Sequence, residues 1–167
     1  MADFKLNGVT WASESAGVIS LSNATLFPAG HVIDFKNSTI NNEITGITYD
    51  TWLATGLSIS ITPKYTNSKI VIWCSVGTAI NAVDHHAIKV VRTGPSTTNL
   101  HIHSSYTNTG YVTGLGSYTV TDTPNTDSVE CTYELYHYCD NNSAAYFFNY
   151  DGTFVSNASM ILMEIKQ

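Results

Sequence analysis

Residues 57–76 read LSISITPKYTNSKIVIWCSV. Leu57, Ile59 and Ile61 alternate with Ser58, Ser60 and Thr62. A period of two sorts the aliphatics to one face of a strand and the hydroxyls to the other. Pro63 has no N–H to give a ladder and ends the run. Lys64 to Ser68 supply a polar turn. In the run that follows, Ile70, Ile72, Cys74 and Val76 share one face, while Val71 and Trp73 lie on the other. A strand that is apolar on both faces must be covered on both. One cover is the core. The other is a second layer of the chain or a neighbouring subunit.

The same signals recur on either side. Val129 to Cys139 alternates cleanly, with Cys131, Tyr133, Leu135 and His137 on one face. Ala158 to Ile165 is again apolar on both faces, Met160 and Leu162 against Ile161, Met163 and Ile165. Shorter extended runs are predicted over 4–11, with Asn7-Gly8 as a hairpin turn, and over 16–21, 31–35, 85–92, 101–106, 118–127 and 146–150. Asn37 to Asn42, Gly77 to Asp84 and Thr107 to Gly116 are predicted as loops. No stretch keeps helical apolar spacing over three turns, and β-branched and aromatic residues dominate. The spacing predicts an all-β, antiparallel β-sandwich of jelly-roll type. Residues 1–30 are expected to form N-terminal strands that serve as an attachment segment, and residues 31–167 the sandwich.

The outer faces of the two doubly apolar strands predict a subunit interface built on Val71, Trp73, Ile161 and Met163. A large exposed apolar surface marks a contact site, and closed symmetric oligomers are the usual way to cover it. A homotrimer is expected. Composition agrees with a hidden surface. Charged residues make up 12% of the 167-residue chain, against roughly 25% in a typical soluble domain. The net charge of −6 argues against nucleic acid, which requires basic grooves. No run of about 18 apolar residues suggests a membrane span, and MADFKLNGVTW lacks an apolar signal core. The three cysteines are expected to be reduced and buried in a protein made in a cytoplasm.

Chemistry-bearing residues are sparse. His101 and His103, two apart, fall on one face of a regular strand, a spacing that suits a metal ion. His85 and His86 point to opposite faces and cannot chelate together. Asp84-His85 has no nucleophile context such as G-x-S-x-G. Asp122, Asp127, Glu130 and Glu134 are scattered along strand and turn, with no glycosidase-like pair evident. No enzyme activity and no cofactor are expected. Tyrosines are a better clue. Of the 10 in the chain, Tyr65, Tyr106 and Tyr111 fall in or beside predicted loops. Tyr offers a ring face for stacking and a hydroxyl for hydrogen bonds, and loops at the ends of a sandwich commonly carry binding residues.

The order of TGLSISITPKYTNSKIVIWCSV (55–76), a strand ending in Val91-Arg92 with a Gly turn, TDTPNTDSVECTYEL (121–135) and ASMILMEIKQ (158–167) resembles a virion β-sandwich domain of tailed bacteriophages, of the tail-fibre or receptor-binding type. KLNGVTW near the N-terminus and FPAGHVI (27–33) are similar to phage structural openings. The resemblance implies a trimeric sandwich in the virion that serves attachment or assembly, with no catalytic residues. Its partners would be itself, other phage virion proteins and a host cell-surface glycan or protein. The alternative role is a capsid decoration or assembly protein that binds only virion proteins. Some phage fibre tips hold metal with repeated His-x-His pairs. This chain has one pair, and metal-free protein is expected.

Overall fold

A computed structural model of the chain describes residues 2–6, 9–15, 18–21, 29–41, 50–80, 84–107, 112–139, 145–147, 149–150, 154–155 and 157–167. The N-terminal strands β1 (Ala2–Leu6), β2 (Val9–Ser15) and β3 (Val18–Leu21) form an antiparallel meander that, among the described residues, pairs only within itself. Pairing of the sandwich begins where the Gly30 N–H donates to the Lys166 carbonyl at 2.7 Å. Its strands follow in order: β4 (Val32–Ile40), β5 (Leu53–Ile61), β6 (Lys69–Ile80), β7 (Asp84–Thr93), β8 (Thr98–Thr107), β9 (Val112–Asp122) and β10 (Cys131–Cys139). Three short strands, β11 (Ala145–Phe147), β12 (Asn149–Tyr150) and β13 (Phe154–Val155), precede the last, β14 (Ala158–Ile165).

One sheet runs β4-β14-β6-β9, with β11 beside the far end of β6. The facing sheet runs β5-β10-β7-β8. Number the eight main strands of the sandwich, β4 to β10 and β14, in chain order. The sheets then read first, eighth, third, sixth and second, seventh, fourth, fifth. This is jelly-roll wiring, with Greek keys folded into two facing sheets. The sandwich expected from the sequence is therefore present, all antiparallel.

The core fills the gap between the sheets. From β6 come Ile70, Ile72, Cys74 and Val76; from β14 come Ala158, Met160 and Leu162. The other sheet contributes Leu57, Ile61, Ile88, Val90, Cys131, Tyr133, Leu135 and Cys139. No disulfide joins the three buried cysteines. Burial pushes the Cys74 thiol up to about 12, so it stays protonated and behaves as a small apolar side chain.

Two buried polar groups tie elements of this core together. Arg92 Nε lies 2.6 Å from Asp122 Oδ2, which also accepts from the Tyr133 hydroxyl at 3.0 Å. The guanidinium further donates to Thr98 Oγ1 at 2.7 Å and to the Ser96 carbonyl at 3.2 Å. This group ties β7 and β10 of one sheet to β9 of the other. Glu164, fully buried at the end of β14, accepts from the Lys64 N–H at 2.7 Å and the Ser68 hydroxyl at 2.5 Å. It thereby pins the polar turn between β5 and β6.

Three predicted loops are partly strand. β4 continues through Asn37, Ser38 and Thr39 to Ile40, paired along β14. β6 continues through Gly77 to Ile80 and β9 begins at Val112, the two segments pairing with each other. In the opposite direction, the strand expected over 118–127 ends at Asp122. Among the described residues, no helix is long and apolar enough to cross a membrane.

Candidate functional site

The outward side of the β4-β14-β6-β9 sheet is the first candidate. Strand alternation that sends Ile70, Ile72 and Cys74 inward sends Val71 and Trp73 outward. The register sets Val71 opposite Met163 and Trp73 opposite Ile161. On the other side of β14, Met163 faces Phe35 and Ile165 faces Val32. One cross-sheet row is therefore Phe35, Met163, Val71 and Thr121, and the next is Asn37, Ile161, Trp73 and Thr119. Val32, Phe35 and Trp73 are 50%, 54% and 48% exposed, and Val71, Ile161, Met163 and Ile165 are half-buried. The Trp73 indole N–H donates to Ser117 Oγ, which fixes the ring on the sheet. The fold brings together all four residues predicted for a subunit interface. It adds Phe35, Val32 and Ile165. Phe35 stands on a strand whose pairing with β14 has no local signature.

The predicted tyrosines do not converge. Tyr65 sits in the turn between β5 and β6, where its carbonyl accepts from the Ser68 N–H at 3.0 Å and Lys166 Nζ lies 4.7 Å from its ring centroid. Tyr106 belongs to β8, opposite His85 near the start of β7. The Cys131–Ile61 and Thr132–Thr93 pairs mark the Tyr65 end of the sandwich. The Asp84–Thr107 and Cys139–His86 pairs mark the other. Tyr65 and Tyr106 thus stand at opposite ends, so one loop-tip site cannot contain both. Tyr111 lies outside the described residues.

The predicted histidine pair lies on β8. The register of β7 with β8 shifts between Ile88 and Lys89, leaving His103 opposite Ile88 and His101 opposite Lys89. Ile88 belongs to the inner face, and the side chain of His101 lies outside the described residues. His103 joins an inner group, with ring centroids 6.2 Å from His86 and 4.9 Å from Tyr118. His137 is fully buried in the same layer, opposite Ile88. Burial pushes the His137 pKa down to about 4. Burial, and then the neighbouring His103, lower that of His86. Both are neutral at neutral pH. Among the described residues, no group of three or more His, Cys, Asp or Glu side chains gathers where it could hold a metal ion.

No protein-family model matches the chain, and no curated protein matches it. Among solved structures, a chain of the T13 IBDV viral particle is similar at 12% identity and a TM-score of 0.43, covering 92% of this chain and 39% of that one. A chain of the infectious bursal disease virus Gx strain is similar at 7% identity and a TM-score of 0.36, covering 91% of this chain and 41% of that one. The chain spans about two-fifths of the length of these solved chains. At such scores the fold class rests on this chain's own strands and register.

Proposed function

We propose that this protein is a structural component of a virion, of tail-fibre or receptor-binding type, that works as a homotrimer without catalytic activity. The observation that carries the reading is the apolar outer face of the β4-β14-β6-β9 sheet, with Phe35, Trp73 and Val32 about half exposed on a jelly roll. Jelly rolls recur in viral capsid and lectin domains, though a fold alone does not assign a function. An exposed apolar sheet face on a chain this poor in charge is suited to burial between subunits. The order of sequence motifs over 55–76, 121–135 and 158–167 supports the phage setting. The β1–β3 meander, which among the described residues pairs with no sandwich strand, suits attachment to a neighbouring virion protein.

A second reading, a capsid decoration or assembly protein, is favoured by one observation. Tyr65 and Tyr106 stand at opposite ends of the sandwich, an arrangement less suited to one loop-tip receptor site built on both.

Labelled electron microscopy of particles tests the proposal. Antibody against this chain should mark intact virions, at the tail for the first reading and over the head for the second. Particles that carry no label would overturn both.

A further inference from the structure

The outer face of the β5-β10-β7-β8 sheet carries a cluster used by neither the core nor the apolar face. Tyr133, Leu135 and His137 of β10 point inward, and Glu134, Tyr136 and Tyr138 alternate with them. β7 sets Lys89 opposite Tyr136, and Trp52 enters just before β5. Lys89 Nζ lies 4.4 Å from the Trp52 ring centroid and 5.8 Å from that of Tyr136. The Trp52 and Tyr138 rings are 5.3 Å apart, with planes inclined by 38°. The Tyr138 hydroxyl donates to Asp50 Oδ1 at 2.7 Å, and the Tyr136 hydroxyl donates to Glu134 Oε2 at 3.2 Å. Trp52, Tyr136, Tyr138, Lys89 and Glu134 are all half-buried, and Asp50 is exposed.

One cross-strand neighbour of each tyrosine is small. Ala54 faces Tyr136 and Ala87 faces Tyr138. An alanine on one flank leaves each ring less crowded on that side than a large side chain would. The two hydroxyl–carboxylate bonds hold the tyrosine rings in place, and a surface fixed in advance loses less entropy when it binds.

We infer that this face is a saccharide-binding platform for a neutral hexopyranose oligosaccharide. The apolar C–H face of a pyranose stacks on an aromatic ring. Glu134 and Asp50 supply acceptors for sugar hydroxyls, and the Lys89 ammonium supplies a donor. Local charge selects the class. Two carboxylates stand against one ammonium on a chain of net charge −6, which disfavours sulfated, phosphorylated or uronic sugars. The platform lies on the opposite side of the sandwich from the apolar face of β4-β14-β6-β9. Assembly through one side leaves the other displayed once per subunit, so weak single sites gain avidity. The platform's role in attachment rests on the receptor-binding reading above; the sugar binding itself does not.

Saturation-transfer NMR of the whole chain with maltohexaose, cellohexaose and chitohexaose tests the assignment. At least one of these should receive saturation from the parent protein and from Trp52→Phe. Binding should be lost in Trp52→Ala and weakened about tenfold in Tyr138→Ala, each variant being checked for parental melting. Val71→Asp, which addresses the apolar face, should keep the sugar signal. If none of the three sugars binds the parent, the platform is overturned. It is also overturned if folded Trp52→Ala and Tyr138→Ala bind like the parent, or if dextran sulfate binds better than the neutral sugars. Loss of assembly with sugar binding intact would count against the interface and not against the platform.

Discussion

Asp122 is the carboxylate on which two sheets depend. It faces the Arg92 guanidinium at 2.6 Å and the Tyr133 hydroxyl at 3.0 Å, with both charged groups buried. Removing one member of such a pair leaves an uncompensated buried charge, which costs more than the pair itself contributes. Asp122→Ala should therefore destabilise the fold by about 3–5 kcal/mol, read as a lower midpoint in urea. An unchanged midpoint would mean that Arg92 finds another partner. The buried histidines give a pH dependence whose sign is fixed. His137 titrates near 4 in the folded protein, against about 6.5 when unfolded. The unfolded chain therefore takes up the proton first. Stability is full above about pH 6.5, falls as the pH drops towards 4 and levels off below that. The loss from His137 is on the order of 3 kcal/mol, and His86 adds to it in the same direction. Melting temperature should fall steadily between pH 7 and pH 4.5, and His137→Leu should flatten that slope. None of this was legible in the sequence. His137 reads as one more inward position of an alternating strand, and Arg92 as a strand end. The register shift beside His101 and His103 was not legible either, because a bulge belongs to the ladder between two strands and leaves no mark on either.

Strands that are fully sandwiched announce themselves, and edge strands do not. β6 and β14 were legible because both faces are apolar, and β10 because its alternation is unbroken. β4 reads as ending at Phe35 because Asn37, Ser38 and Thr39 look like a loop. It is an edge strand of its sheet with much of its length exposed, so polar residues there bear little desolvation cost and local propensity misleads. The same holds where β6 and β9 run on past Val76. Gly77 lies opposite Leu115, and Thr78 opposite Gly114, a ladder that composition alone reads as a turn. The turn after β7 offers a direct check. Gly94 has φ of 144°, and a Cβ there would stand 2.6 Å from the Glu130 carbonyl oxygen. Backbone cannot swing aside as a side chain tip can, and the conformation itself disfavours an L side chain. Gly94→Ala should destabilise by more than about 1 kcal/mol, whereas Thr97→Ala in the same exposed turn should be near neutral.

The whole molecule has two outer faces of different chemistry. The jelly-roll class was legible from strand spacing, and four residues of the apolar face followed from alternation. The rest of that face was not, since Phe35 and Val32 join it only through pairing with β14. The aromatic cluster around Trp52 was hidden for the same reason. Its members come from β10, β7 and the approach to β5, and no local pattern connects them. If the apolar face is the subunit interface, Val71→Asp places like charges close together in a desolvated contact. Each costs several kcal/mol by order of magnitude, and assembly should fail while the subunit stays folded. Multi-angle light scattering of the purified parent chain at micromolar concentration tests the central claim most directly. The predicted result is a single species of three times the 18.2 kDa chain mass, reduced to one chain mass in Val71→Asp. A parent protein that is folded and monomeric at that concentration would contradict it.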